Sequence, residues 1–281
     1  MKRVAIQGYE GSFHHIAARR YEGADVEVRA CDTFRDVARV VECGEVDYGV
    51  MAIENSIAGS ILPNYNILQS GNVCVSGEIC LQIRQNLMVN RGVTLEDIRE
   101  VESHQMALLQ CAEFLDTHSW RLVESADTAL SAAQLQKSGS RHTAAIASSL
   151  AAELFDLDIV AHDIHTIRNN YTRFLVLEAC DRSSYVPEMS VTTGNKASLY
   201  FNIHHRSGSL YRTLGAIEGC GINMTKLQSY PIPTEPWHYM FHVDMRFECV
   251  EQFRLAVEQM RANGVEVHVY GIYNDAMDNI L

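Results

Sequence analysis

Two hydrophobic periods alternate along the first 180 residues, and that alternation restricts the fold to an α/β class. Arg3–Gly8 reads as a short apolar strand, followed by a helix from Ser12 with Phe13, Ile16 and Ala17 on one face. Thr33 and Asp36 have capping-box spacing, and Phe34, Val37, Ala38 and Val41 then recur at i, i+3, i+4 and i+7. Gly44 ends that helix, and Tyr48–Ile53 returns as a buried strand. Ser103 is expected to cap a helix striped by Leu108, Cys111, Ala112 and Leu115. Asp127 is expected to cap another bearing Ala129, Ala132 and Ala133. Ala144–Ala147, Asp158–Ala161 and Thr172–Ala179 read as strands. Such alternation predicts mainly parallel sheets, whose ligands sit at the carboxyl ends of strands.

The pattern breaks at residues 181–196, a polar stretch with Pro187 and Gly194 that reads as a linker. Beyond it the order is strand (Ala197–Ile203), helix (Ser209–Glu218), strands (Asn223–Pro231 and His238–Phe247), helix (Gln252–Ala262) and strand (Val265–Tyr273). This βαββαβ order predicts a ferredoxin-like second domain over residues 197–281.

A length of 281 residues suits two domains, and 47% hydrophobic residues supply a large core. The net charge of −12 argues against nucleic acid or an anionic membrane as partner. It also requires any anionic ligand to find a locally favourable site. The apolar run behind Lys2-Arg3 is too short for a signal peptide, and no stretch approaches bilayer length. Cysteines 31, 43, 74, 80, 111, 180, 220 and 249 are scattered without a CxxC pair. Together these features predict a soluble cytoplasmic protein with reduced thiols.

Four polar motifs fall where strands give way to helices: Gly8-Tyr9-Glu10-Gly11-Ser12-Phe13, Ile53-Glu54-Asn55-Ser56-Ile57-Ala58-Gly59, Ser103-His104-Gln105-Met106-Ala107-Leu108 and Ser125-Ala126-Asp127-Thr128-Ala129. Glycines let a backbone approach a ligand, and hydroxyls with free N–H groups at helix starts suit anions. The third glycine of a dinucleotide fingerprint and a Walker-type Gly-Lys-Ser/Thr are both missing. A fifth motif, Tyr171-Thr172-Arg173-Phe174, sets a hydroxyl beside a guanidinium at the mouth of an apolar strand, a combination suited to a carboxylate. His14-His15, His162-Asp163-Ile164-His165 and His204-His205 lack the spacing of a metal site, so no metal is expected.

Taken in order, Glu54-Asn55-Ser56 with Gly59, Ser103-His104 with Gln110-Cys111, and Asn170-x-Thr172-Arg173-Phe174 resemble the prephenate dehydratase family over residues 3 to about 273. Tyr9 and Ser12 stand where that family usually has Pro and Thr, and Ser12 keeps the hydroxyl. The resemblance implies a two-lobed, periplasmic-binding-protein-like catalytic domain over 1–180, with lobe 1 about 1–76 and 162–180, and lobe 2 about 77–161. With no chorismate mutase segment before Met1, it implies the monofunctional form. It also implies loss of CO₂ and water from prephenate to give phenylpyruvate in L-phenylalanine biosynthesis. Aromatisation drives that reaction, so no cofactor is expected. By resemblance, Thr172 assists hydroxyl departure, Arg173 binds a carboxylate or shapes the cleft, and Phe174 packs against the ring. Ser12, Asn55, Ser56, Ser103 and Thr128 become candidate substrate-binding residues, and Glu54 and His104 either contact substrate or support those that do.

The second domain resembles an ACT regulatory domain, which implies L-phenylalanine as allosteric effector at a shared interface and a homodimer or homotetramer. The effector motifs correspond to Gly208-Ser209-Leu210 and Gln228-Ser229-Tyr230-Pro231, with Asn223 nearby. Gln228 and Tyr230 replace a carboxylate and a guanidinium of the family pattern. Two other readings remain open at this stage: a non-catalytic binding module, and a dehydratase acting on arogenate.

Overall fold

The computed structural model describes residues 1–181, 184–204, 206–232, 235 and 238–276. His205 and residues 277–281 of the sequence motifs and expected domains above lie outside the described residues, as do 182–183, 233–234 and 236–237. The elements run β1 (Arg3–Gln7), α1 (Phe13–Glu22), β2 (Glu27–Cys31), α2 (Phe34–Glu42), β3 (Tyr48–Asn55), β4 (Gly59–Ser60), α3 (Leu62–Ser70), β5 (Val73–Gln82) and β6 (Asn86–Val89). They continue with β7 (Glu100–His104), α4 (Gln105–Gln110), α5 (Ala112–Leu115), β8 (Arg121–Ser125), α6 (Thr128–Ser138), β9 (Thr143–Ala147), α7 (Ser149–Leu154), β10 (Asp158–Ala161) and β11 (Tyr171–Ala179). The chain then forms α8 (Pro187–Ser190), β12 (Lys196–Asn202), α9 (Ser209–Glu218), β13 (Asn223–Pro231), β14 (Tyr239–Arg246), α10 (Val250–Ala262) and β15 (Glu266–Tyr273).

Two compact units result: Met1–Asn64 with Ile79–Phe174, and Tyr65–Glu78 with Leu175–Leu281. The first unit draws on two sheets. One has the order β2-β1-β3-β11-β5, with β4 paired to β3, and its β1 runs parallel to both β2 and β3. The other has the order β10-β6-β9-β7-β8. There β7 is parallel to β8 and β9, whereas β6 is antiparallel to β9 and β10. The second sheet is thus more mixed than strand–helix alternation predicts. Its faces are covered by two apolar groups, one around Val101, Leu108, Cys111 and Ile146, the other around Met88, Ala132, Ala145 and Ala151.

Two local expectations require correction. Ser103 does not cap a helix; it is a fully buried residue of β7 whose hydroxyl donates to the Ile146 carbonyl at 2.6 Å. His104 is the cap, and Cys111 divides the expected helix into α4 and α5. Within residues 181–196, Pro187 starts α8 and Lys196 opens β12.

In the second unit, β12 to β15 follow the βαββαβ order in an antiparallel sheet, β13-β14-β12-β15. This is the ferredoxin-like topology the sequence predicts. Phe201, Phe253, Val257 and Met260 lie in its core. Packing tightens at Gly271, where a Cβ would fall 1.8 Å from the Val75 carbonyl oxygen. Close by, the Lys196 ammonium is buried between Glu78 at 2.7 Å and Asp275 at 3.2 Å. Glu78 also accepts the Ala276 N–H at 2.9 Å, and Arg246 stands 3.6 Å from the other oxygen of Asp275, so the pair is part of a small, largely buried network. No helix among the described residues is long and apolar enough to cross a membrane. Lys196→Met keeps side-chain bulk but removes the cation from buried Glu78, while Asp275 keeps Arg246 at 3.6 Å. It is expected to lower the unfolding free energy by about 3–5 kcal/mol, measured by urea titration, and a loss below about 1 kcal/mol would contradict this role for the pair.

Candidate active site

A cavity of about 300 Å³ lies within the first unit and is lined from both of its sheets. Its walls include Ser12, His14, Phe34, Asn55, Thr172 and Phe174 on one side, and Gln85, His104, Gln110, Asp127 and Thr128 on the other. Side chains alternate along a strand, so β11 offers Thr172 and Phe174 to the cavity while Arg173 is not among the lining residues. The structure therefore separates Arg173 from the pair it was expected to join.

The Asn55 side chain fixes Thr172. Its amide nitrogen donates to the Asn170 side-chain oxygen at 2.7 Å, the Thr172 hydroxyl at 3.0 Å and the Tyr171 carbonyl at 3.1 Å. Its oxygen accepts the N–H groups of Ile57 at 3.0 Å and Ala58 at 2.9 Å. Asn55 is consequently committed to protein partners and acts as an orienting group more than as the free substrate donor expected. Because Thr172 accepts from Asn55, its own hydroxyl proton is left for another acceptor. Ser56 accepts the Tyr171 N–H at 2.9 Å and donates to the Asn169 carbonyl at 3.1 Å, outside the cavity lining. Ser103 is likewise absent from the lining.

Ser12 and Thr128 do reach the cavity, each at a helix start. Ser12 caps α1 by accepting the His15 N–H at 3.3 Å. The turn before it is held on both sides, by Gly11 N–H donating to His15 Nδ1 at 3.0 Å and the Ser148 hydroxyl donating to Gly11 O at 2.6 Å. Gly11 has φ +87°, and a Cβ there would fall 3.0 Å from the Ala151 Cα. Asp127 caps α6 through the N–H groups of Ala129 at 2.8 Å and Leu130 at 3.0 Å. Burial raises its carboxyl above the ordinary range, against the lowering effect of those two bonds. His104 accepts the Met106 N–H through Nδ1 at 3.2 Å, which puts the proton of the neutral ring on Nε2.

None of the lining residues is lysine or arginine. Positive potential comes instead from the amino end of α1; that of α6 also abuts the cavity, but the Asp127 carboxyl already takes its Ala129 and Leu130 N–H groups. The apolar wall is aromatic: the His14 ring meets Phe174 edge-on at 5.0 Å and Phe34 at 5.3 Å. Sequence reasoning missed His14, Phe34 and Gln85 as cavity residues. For His14 and Phe34 the available signal was helix position, since both fall in the first turn after a cap.

Of the expected effector residues, Gly208, Ser209 and Leu210 line a separate cavity of about 600 Å³ in the second unit, Gly208 with φ +76°. Asn223, Gln228 and Ser229 do not line it, and Asn223 opens β13 at the end opposite Pro231. Within one chain these residues therefore do not converge on a single pocket. Among the described residues no group of three or more His, Cys, Asp or Glu is placed to hold a metal ion.

Burial lowers the His14 pKa from 6.5 to about 4, so its ring is neutral in the folded state at pH 7. A depressed folded value means the unfolded chain binds the extra proton first, so stability is lost as pH falls from about 6.5 towards 4. His14→Gln is expected to flatten part of that acid loss, measured as the thermal midpoint between pH 7 and pH 4.5. An unchanged slope would contradict the assignment.

Residues 4–182 match the family described as prephenate dehydratase. The bifunctional chorismate mutase/prephenate dehydratase of Aquifex aeolicus is 31% identical over 278 residues, covering 98% of this chain and 74% of that protein. A solved prephenate dehydratase from Arthrobacter aurescens, described in complex with L-Phe, superposes with a TM-score of 0.84 at 24% identity, covering 98% of this chain and 90% of that one. GqqA, described as a novel type of quorum quenching acylase, superposes with a TM-score of 0.84 at 26% identity, covering 97% of each chain. The match over residues 4–182 spans more than half of the chain, which therefore belongs to the prephenate dehydratase family.

Proposed function

We propose that the chain converts prephenate to phenylpyruvate, and that the Thr172 hydroxyl, oriented by Asn55 at the wall of a cavity without cationic side chains, assists the step. The bond between the ring and its carboxylate breaks, and its electron pair enters the ring. The bond to the ring hydroxyl then gives way, leaving CO₂, water after protonation, and an aromatic ring. Aromatisation drives the sequence, so the chemistry calls for no redox group. Thr172 donates a hydrogen bond to the departing oxygen as negative charge develops there. Its alcohol is too weak an acid for full transfer at the start. The amino end of α1 receives a carboxylate, with Ser12 and Thr128 adding hydroxyls. Phe174, Phe34 and His14 form the surface for the ring. Arg173 acts through the shape of β11.

An acyl-transfer reading, which the likeness to GqqA raises, fits less well. A hydroxyl nucleophile needs a base in hydrogen-bond reach. Here Thr172 and Ser12 are tied to an amide and a backbone N–H, and His104 Nδ1 to another N–H.

In the same reading, residues 1–180 form the catalytic domain, 181–196 the linker and 197–281 an ACT regulatory domain of a cytoplasmic homodimer or homotetramer. L-phenylalanine is the allosteric effector. The relative described with L-Phe and the cavity beside Gly208 support this. Convergence of Gly208, Ser209 and Leu210 with Asn223, Gln228 and Ser229 then requires a second copy.

Purified protein given prephenate should yield phenylpyruvate, read by absorbance in alkali, and added L-phenylalanine should lower the rate. A rate indifferent to L-phenylalanine removes the effector assignment. Turnover of arogenate in preference to prephenate would change the substrate. Thr172→Ala should cut kcat by roughly a hundredfold or more with KM changed by less than about threefold. Parallel loss of kcat and affinity would make Thr172 a binding residue.

A further inference from the structure

Gln85 belongs to none of the motifs that carry the family likeness, yet it is buried in the cavity wall and held there by partners distant in sequence. The residue is 3% exposed and lies between β5 and β6. Its backbone N–H donates to His165 Nδ1 at 3.4 Å, and its carbonyl accepts the Ile164 N–H at 2.9 Å. The side-chain amide nitrogen donates to Gln110 Oε1 at 3.4 Å, and the Gln110 carbonyl accepts the Thr166 N–H at 2.8 Å. The segment after β10, through Ile164, His165 and Thr166, thus forms the support behind both glutamines. What remains is the Gln85 side-chain oxygen, Oε1. It is buried, it belongs to a cavity-lining residue, and among the described residues it has no hydrogen-bond partner. A buried acceptor left unpaired is costly, which marks it as a position completed by a ligand.

Prephenate narrows what that ligand atom can be. Its two carboxylates and its keto group only accept hydrogen bonds; the ring hydroxyl is its single donor. We infer that Gln85 Oε1 accepts the hydrogen bond of the substrate's ring hydroxyl and so positions it towards Thr172. A hydroxyl oxygen donates one bond and accepts others, so Gln85 and Thr172 can engage the same atom at once. Gln85 takes the proton side and Thr172 supplies a donor to the lone pairs. An amide suits this task in a site for a dianion, because a carboxylate in its place would add a further acid to a wall that already holds Asp127. Gln85 is on this basis a substrate-binding residue, one that rests on the reading of the cavity as a prephenate site.

The product supplies the control, since phenylpyruvate has lost the hydroxyl, together with the ring carboxylate, while keeping a six-membered ring and the side chain. Gln85→Met keeps length and bulk without an acceptor of comparable strength. It is expected to raise KM for prephenate about tenfold or more and to leave competitive inhibition by phenylpyruvate within about twofold. Gln85→Asn retracts the oxygen by one methylene and is expected to act in the same direction, which keeps the test available if the methionine variant does not fold. An unchanged prephenate KM in both variants would overturn the inference. So would a parallel weakening of phenylpyruvate, which would show that Gln85 only shapes the cavity. If the wild-type protein fails to turn over prephenate, the functional reading falls. If it turns over and the variants behave like it, the inference about Gln85 alone falls.

Discussion

The amide of Asn55 is the point on which the geometry of the site depends. Two N–H bonds serve three acceptors on Asn170, Tyr171 and Thr172, while the amide oxygen holds the N–H groups of Ile57 and Ala58. One side chain thereby ties the end of β3 to the start of β11 and to the turn that leads into β4. Such a hub leaves Thr172 little choice of rotamer. Its hydroxyl proton is directed by what Asn55 already occupies, and pre-orientation of this kind is what an electrostatic contribution to catalysis requires.

Charge is handled locally. A chain with net charge −12 repels a dianion at long range. Residues lining the cavity nevertheless include no lysine or arginine. The amino end of α1 provides compensating potential, and the starts of α1 and α6 are held by their caps, Ser12 and Asp127. Gly8 allows the two caps to approach, since a Cβ there would stand 2.9 Å from the Asp127 carboxylate oxygen. A neutral His14 among aromatic rings keeps the remaining wall apolar.

Much of this was legible in the sequence because it is periodic or local. The strand–helix alternation, the βαββαβ order, and the capping roles of Ser12, Thr33 and Asp127 all follow from side-chain spacing within one element. Thr172, Phe174, Ser12 and Thr128 were found because they belong to motifs at strand or helix ends, and the cavity lies there. Arg173 was not separable from its neighbours by motif, yet strand alternation sends it away from the cavity. Ser103 resembles a helix cap in sequence, but the Ile146 carbonyl across the sheet claims its hydroxyl. Gln85 carries no local signal at all. Its place in the wall is set by Gln110, Ile164 and His165, which are distant in sequence, and only the folded chain brings them together.

The dependence of Thr172 on Asn55 is open to direct measurement by a double-mutant cycle on kcat/KM with prephenate. Asn55→Ala, Thr172→Val and the double variant would be compared with the parent protein. If Asn55 works by aiming the Thr172 hydroxyl, removing it costs little once that hydroxyl has gone, so the double variant should be about as slow as Thr172→Val alone. Losses that simply multiply would show the two side chains acting independently, and the orienting role of Asn55 would have to be abandoned.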